Sequence, residues 1–315
     1  MNSKVTNILE DKENPNLKDK PRASFGNSRS FGTDITRVAL HPIDPDKEDE
    51  IDPQRLGDYA KEIFSYLFTI EDQYLPQYGY MKSQADINEK MRGVLIDWLV
   101  GVHLKFKLLP ETLFLCVNVL DRYLEKVSVL RGKLQLVGVT AMLIASKYEE
   151  IYPPEVKDFS WITDNAYTKE EILVMEREIL RSLNFNVTVV SSLKFLDRFA
   201  RVSEMSQRCY HMARYIMELA IVEYKMIRYK PSIVAGSAVY LANKIMNNDC
   251  IWPQALIKNS PYRGNELKPC ARELCVLVQG AERCSLQAVR RKFSAQNYSE
   301  VSKIDIVMAR QENKE

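Results

Sequence analysis

Glycine is scarce in this chain: 11 of 315 residues. That scarcity argues against a many-turned β architecture and against glycine loops that cradle phosphate. Arg131-Gly132-Lys133 lacks the spacing of a P-loop. The three histidines, His41, His103 and His211, lie far apart. The six cysteines (Cys116, Cys209, Cys250, Cys270, Cys275, Cys284) include no Cys-x-x-Cys pair. Neither set has metal-ligand spacing, so no metal and no cofactor is expected. The cysteines read as reduced, buried thiols of an intracellular protein. An excess of one charge is missing too: 44 Lys and Arg meet 42 Asp and Glu, a net +2. A nucleic-acid partner is therefore not expected. No run reaches the ~18 apolar residues of a membrane span. Residues 1–20 hold no apolar core of signal-peptide length, so neither secretion nor a membrane partner is expected.

What is present is helical periodicity. Residues 1–50 stand apart, with 8 Lys and Arg, 10 Asp and Glu and two aromatics. Such a segment cannot bury enough apolar surface to offset its ordering entropy, which predicts a disordered tail over residues 1–51. Asp52-Pro53 then opens a helix with Tyr59, Ile63, Tyr66 and Leu67 on one face. Further helices are predicted over 88–105, 110–126, 132–150, 154–162 and 168–183, the last with a Thr168-x-x-Glu171 capping box. A second series covers 191–201, 205–224, 231–247, 265–280 and 285–293. The series repeat at an offset of 97 residues: 134–148 lies over 231–245, Ala141 over Ala238, Ala145 over Ala242, and Asp121 over Glu218. Both central segments are apolar around their whole circumference, as a surrounded helix requires. No strand is predicted. The fold class is all-α, with two domains each wrapped round one central helix.

Four charges sit on apolar stripes: Arg92, Asp121, Lys147 and Glu176. A lone buried charge is costly and a paired one tolerable. One reading is two internal ion pairs, Arg92 with Asp121 and Lys147 with Glu176. The other places Lys147 and Glu176 at a rim, facing a partner. Spacing leaves both open. Arg290-Arg291-Lys292 reads as a solvated helix end.

The segments MRGVLIDWLV (91–100), LDRYL (120–124), LQLVGVTAMLIASKYEEIYPPEV (134–156) and YTKEEILVMEREILRSLNF (167–185) resemble the first box of a cyclin. Arg92, Asp121, Lys147 and Glu176 fall at that family's characteristic charged positions. The wording is similar to mitotic B-type cyclins, from about Asp58 to Ile304. The resemblance implies two five-helix cyclin-box domains, over 52–187 (with an N-terminal helix) and 188–304, then a C-terminal tail over 305–315. It implies no catalysis but activation of a cyclin-dependent Ser/Thr kinase, in nucleus and cytoplasm, to drive the G2/M transition. Lys147 and Glu176 would bond kinase backbone. Tyr148, Leu180 and Phe185, edged by Glu149, would form an apolar pocket, and Ile63 and Tyr66 would add contacts. Periodicity by itself places Leu180 and Phe185 in the core; the resemblance reverses that.

The resemblance also implies a hydrophobic groove docking kinase substrates and inhibitors, built from Met91, Val94, Leu95, Trp98, Leu134 and Gln135. Gly101 departs from the family's usual Glu or Gln, which removes a partner for a peptide's basic residue. In the tail, Lys12-Glu13-Asn14 reads as a KEN box, and Arg37-x-x-Leu40-x-x-Ile43-Asp44 as an extended destruction box. Both imply the anaphase-promoting complex co-activators as partners. The rival reading is a two-cyclin-fold transcription adaptor that binds DNA or a polymerase.

Overall fold

A computed structural model of the chain describes Asp46 and residues 57–304. The KEN and destruction boxes, the Asp52-Pro53 helix start and the C-terminal tail lie outside the described residues. The chain divides after Ala60 into two units, and Lys61 onward forms the second. Among the described residues there are twelve α-helices and no strand.

The first helix, α1 (Ala60–Ile70), follows a 3-10 turn at Gly57–Tyr59. Five helices come next: α2 (Glu89–Lys105), α3 (Pro110–Lys126), α4 (Leu134–Glu149), α5 (Val156–Ile162) and α6 (Lys169–Ser182). Their starts are written locally. Asn88 accepts from Met91 N, Pro110 occupies the first position of α3, and Thr168 and Glu171 form the reciprocal capping box. The second series is α7 (Ser192–Val202), α8 (Gln207–Val222), α9 (Pro231–Ile245), α10 (Gln254–Lys258) and α11 (Gly264–Gly280), and a short α12 (Ala288–Phe293) follows. Helix α10 is a single turn between Pro253 and Asn259, too short for periodicity to expose.

The two central helices are α4 and α9. Helix α4 packs on α2, α3, α5 and α6, and every residue from Leu136 to Ser146 is buried. Helix α9 packs on α7, α8 and α11. The repeated alanines Ala141, Ala145, Ala238 and Ala242 are all fully buried, because only a small side chain fits where neighbouring helices close in.

A buried ion pair marks each domain, but the cations differ. In the first, Arg92 of α2 grips Asp121 of α3 at 2.6 and 2.7 Å, and the Tyr80 hydroxyl donates to the same carboxylate at 2.8 Å. In the second, Glu218 of α8 occupies the position repeated from Asp121. It accepts from Lys292 of α12 at 2.6 and 2.7 Å and from Arg214 at 3.2 Å. Lys292 is therefore not part of a solvated helix end: α12 folds back between α8 and α2 and buries it. Burial pushes the Lys292 ammonium down, and the Glu218 charge draws it back. A second correction concerns the thiols. Cys116, Cys209 and Cys270 are buried, but Cys250 and Cys284 are exposed, in loops outside the apolar stripes.

The domains are joined along a polar seam. Arg92 donates to the Val222 carbonyl at 3.2 Å, Ala288 N to Asp97 at 2.8 Å, and Gly79 N and Met81 N to the Tyr224 hydroxyl at 3.0 Å each.

Candidate partner-binding surface

Lys147 stands in the last turn of α4, where a cation complements the helix dipole. Its ammonium donates to both Glu176 oxygens, at 2.7 and 2.9 Å. The Lys147 side chain is 44% exposed and that of Glu176 12%. Arg92, by contrast, is 1% exposed. Magnitudes separate the pairs. Removing one partner of a buried pair costs about 3–5 kcal/mol, while an exposed pair contributes about 0–1 kcal/mol. Arg92–Asp121 thus holds the fold. Lys147–Glu176, open to solvent on its lysine side, lies nearer the exposed case and retains bonding capacity: a third ammonium N–H and further carboxylate lone pairs. Such a pair suits the N–H and C=O groups of another chain.

Large apolar side chains lie uncovered on the neighbouring turns and loop of the same two helices. Tyr148 is 50% exposed and its hydroxyl bonds the Thr188 hydroxyl at 2.5 Å. Phe185 is 68% exposed and Leu180 is half-buried. Their placement follows from how α6 ends. Phe185 N donates to Leu180 O at 2.8 Å and Asn184 N to Arg181 O at 3.0 Å, the paired bonds of a Schellman terminus. Asn184 takes the left-handed conformation at φ 52°, which that terminus favours. Phe185 is left-handed as well, at φ 57°, an unfavourable setting for a bulky residue and one that concentrates at functional sites. Core periodicity misplaced Phe185 because the helix reverses before reaching it. Glu149 is half-buried, and burial followed by the Glu111 charge raises its carboxyl.

Ile151 and Tyr152, just beyond α4, are also largely exposed. Sequence reasoning passed over them; the available signal was two apolar residues between an acidic pair and Pro153-Pro154. On α1, Ile63 and Tyr66 face outward, while Phe64 and Phe68 pack inward on Phe195 at ring distances of 6.3 and 4.8 Å.

The proposed groove residues are split by burial. Leu95, Trp98 and Leu134 are buried, Met91 and Gln135 intermediate, and Val94 exposed. Leu95 lies against Gly138 of α4 so closely that a Cβ there would meet its Cδ1 at 2.7 Å. Among the described residues, no group of His, Cys, Asp and Glu is placed to hold a metal ion, and no helix is long and apolar enough to cross a membrane.

Comparison with known proteins identifies the family of these two domains. The cyclin N-terminal domain matches residues 62–188, and the cyclin C-terminal domain matches 190–306. The chain belongs to the cyclin family. It is similar to the G2/mitotic-specific cyclin-B of Dictyostelium discoideum, 42% identical over 87% of this chain and 62% of that protein. It is also similar to the cyclin-B of Marthasterias glacialis, 44% identical over 83% of this chain and 67% of that one. The chain thus spans about two thirds of the length of these relatives. A viral cyclin from herpesvirus saimiri shares the fold, with a TM-score of 0.64 and 19% identity over 72% of this chain and 99% of that one. The two helical domains are therefore cyclin folds of B-type character.

Proposed function

We infer that this cyclin is the non-catalytic regulatory subunit of a cyclin-dependent Ser/Thr kinase. In this reading it drives the G2/M transition and is then destroyed by ubiquitin-dependent proteolysis. The observation that carries the reading is the Lys147–Glu176 pair, with its lysine exposed, together with the uncovered rings of Tyr148 and Phe185. A kinase of this type needs its αC glutamate paired with the β3 lysine that orients ATP phosphates. A rigid surface that binds the inward αC helix more tightly than the outward one shifts the kinase toward the active state. Lys147 and Glu176 would bond backbone at that helix. Tyr148, Leu180 and Phe185 would receive its apolar side chains, with Glu149 at the edge and Ile63 and Tyr66 extending the contact.

Substrates and inhibitors would dock at Val94, Met91 and Gln135, over buried Leu95, Trp98 and Leu134. The KEN and destruction boxes would recruit co-activators of the anaphase-promoting complex, and the protein would act in both nucleus and cytoplasm. A histone-kinase assay with a purified cyclin-dependent kinase tests the central claim. Strong activation by the wild type, lost in Lys147→Ala and Glu176→Ala with unchanged melting, is the expected result. Unchanged activation with collapsed stability would refute it. A folded wild type that activates nothing would turn attention to the transcription-adaptor reading and to DNA binding. Deleting Lys12–Asn14 together with Arg37–Leu40 is expected to prolong the protein's life after mitosis, and an unaltered decay rate would remove the degradation claim.

A further inference from the structure

Helix α1 stands at the start of the first cyclin domain, yet its aromatic side chains rest on the second. At 11 residues it is shorter than the ~12–15 residues that an isolated helix needs for marginal stability. Its orientation therefore depends on what it packs against. Phe68 stacks on Phe195 of α7 and Phe64 packs on it at a tilt, Phe68 meets the edge of Tyr262 at 6.4 Å, and the Arg198 guanidinium lies 5.3 Å from the Phe64 ring. Directly after α1 comes Glu71, which is buried. Its carboxylate accepts from Ser232 N at 2.9 Å and from the Ser232 hydroxyl at 2.7 Å.

Ser232 lies in the first turn of α9, the second domain's central helix, where backbone N–H groups lack helical partners and favour a negative charge. The Ser232 hydroxyl gives its one hydrogen to Glu71, so it accepts from the Tyr262 hydroxyl, 2.7 Å away. The chain of contacts closes: Glu71, Ser232, Tyr262, Phe68. Burial raises the Glu71 carboxyl and the two Ser232 bonds work against that rise. The exposed Lys230–Asp72 bridge at 2.5 Å adds to the same joint.

We propose that Glu71 is a positioning residue, through which the second cyclin fold fixes the outward face of α1, Ile63 and Tyr66, for the kinase. The inference rests on the function proposed above. The two faces of α1 are the physical link: Phe64 and Phe68 are anchored on the second domain, which leaves Ile63 and Tyr66 presented in one orientation before any partner arrives. Pre-positioning removes an ordering cost from binding. The second fold then contributes to affinity without touching the partner at Glu71.

The test is a double-mutant cycle on the full chain, read as affinity for a purified cyclin-dependent kinase catalytic subunit by titration calorimetry, with melting followed in parallel. Glu71→Gln keeps the shape but replaces one acceptor oxygen by an NH2 group, and Ser232→Ala removes the hydroxyl from the other side. Each is expected to weaken kinase binding by about 3- to 10-fold, a coupling of ordinary size for contacting groups. In a Tyr66→Ala background the same changes are expected to have little further effect, because the face they orient has lost its main side chain. Lost melting temperature with unchanged affinity would make Glu71 a stability residue only and overturn the proposal. Fully additive losses would overturn it as well. A well-folded wild type with no affinity for the kinase would remove the functional reading, and this inference with it.

Discussion

Arg92 and Lys147 are both cations on apolar stripes, and their surroundings give them opposite uses. Arg92 is enclosed by Asp121, the Val222 carbonyl and the Tyr224 ring, whose centroid lies 5.9 Å from the guanidinium carbon. Arg92→Ala strands the Asp121 carboxylate in the interior. It is expected to cost about 3–5 kcal/mol in urea denaturation, against less than about 1 kcal/mol for Lys147→Ala. Equal losses would show that the rim pair is structural after all. His103 of α2 supplies a pH signature. It is buried, its Nε2–H donates to the Leu109 carbonyl at 3.0 Å, and Nδ1 has no partner. Burial, aided by the Lys292 charge, pushes its pKa from 6.5 down to about 3. Between those values the unfolded chain binds a proton at this residue and the folded chain does not. His103 therefore costs stability as the pH falls below 6.5, at up to about 1.4 kcal/mol per pH unit. In His103→Gln the acid limb of a stability–pH curve is expected to be shallower; an identical limb would assign acid sensitivity to other groups.

At the scale of elements, α4 shows why so much was legible. Its all-round apolar sequence and its alanines identify a surrounded helix without any coordinates, and the offset of 97 residues identifies α9 as its counterpart. Pro110, Pro231, Asn88 and Thr168 write helix starts into the chain because capping is local chemistry. Less legible was how tightly α4 is held. Gly138 faces Leu95 across the α2–α4 contact, and an added methyl would meet Cγ, Cδ1 and Cδ2 at 2.7–3.1 Å. Gly138→Ala ordinarily gains about 1 kcal/mol of helix propensity, but overpacking costs about 1–3 kcal/mol. A net loss is expected, relieved when Leu95→Ala is added. A Gly138→Ala protein at least as stable as wild type would mean that Leu95 shifts freely. The apolar face of α1 shows what pattern reading leaves open. Periodicity puts Tyr59, Ile63, Tyr66 and Leu67 on one face without saying what it meets; Tyr59, Ile63 and Tyr66 are exposed and Leu67 is half-buried, while Phe64 and Phe68, one step round the helix, make the inner contacts.

On the scale of the whole molecule, the cyclin folds are interdependent across their seam. Glu71 caps α9, Asp97 bonds the start of α12, and α12 carries Lys292 back to Glu218 while packing on α2. Residues 190–304 expressed alone would lose Glu71, the Phe64 and Phe68 cover and the α2 contact. They are expected to keep far-ultraviolet helix signal but lose the near-ultraviolet signal of fixed aromatics, whereas residues 61–304 keep both. A fragment with native-like near-ultraviolet dichroism would show that the seam is dispensable.

The sequence by itself determined the all-helical class, the repeated domains, most helix limits and the family, because capping, periodicity and long motifs are properties of neighbouring residues. Only the tertiary structure decided which charges are buried and which are available. Arg92 and Lys147 read alike along the chain, and Lys292 reads as solvent-exposed, until distant helices are brought against them. Burial is set by what packs on a residue from elsewhere in the chain. The partner of Lys292 lies 74 residues away and that of Glu71 lies 161 away, separations at which no local pattern carries a signal.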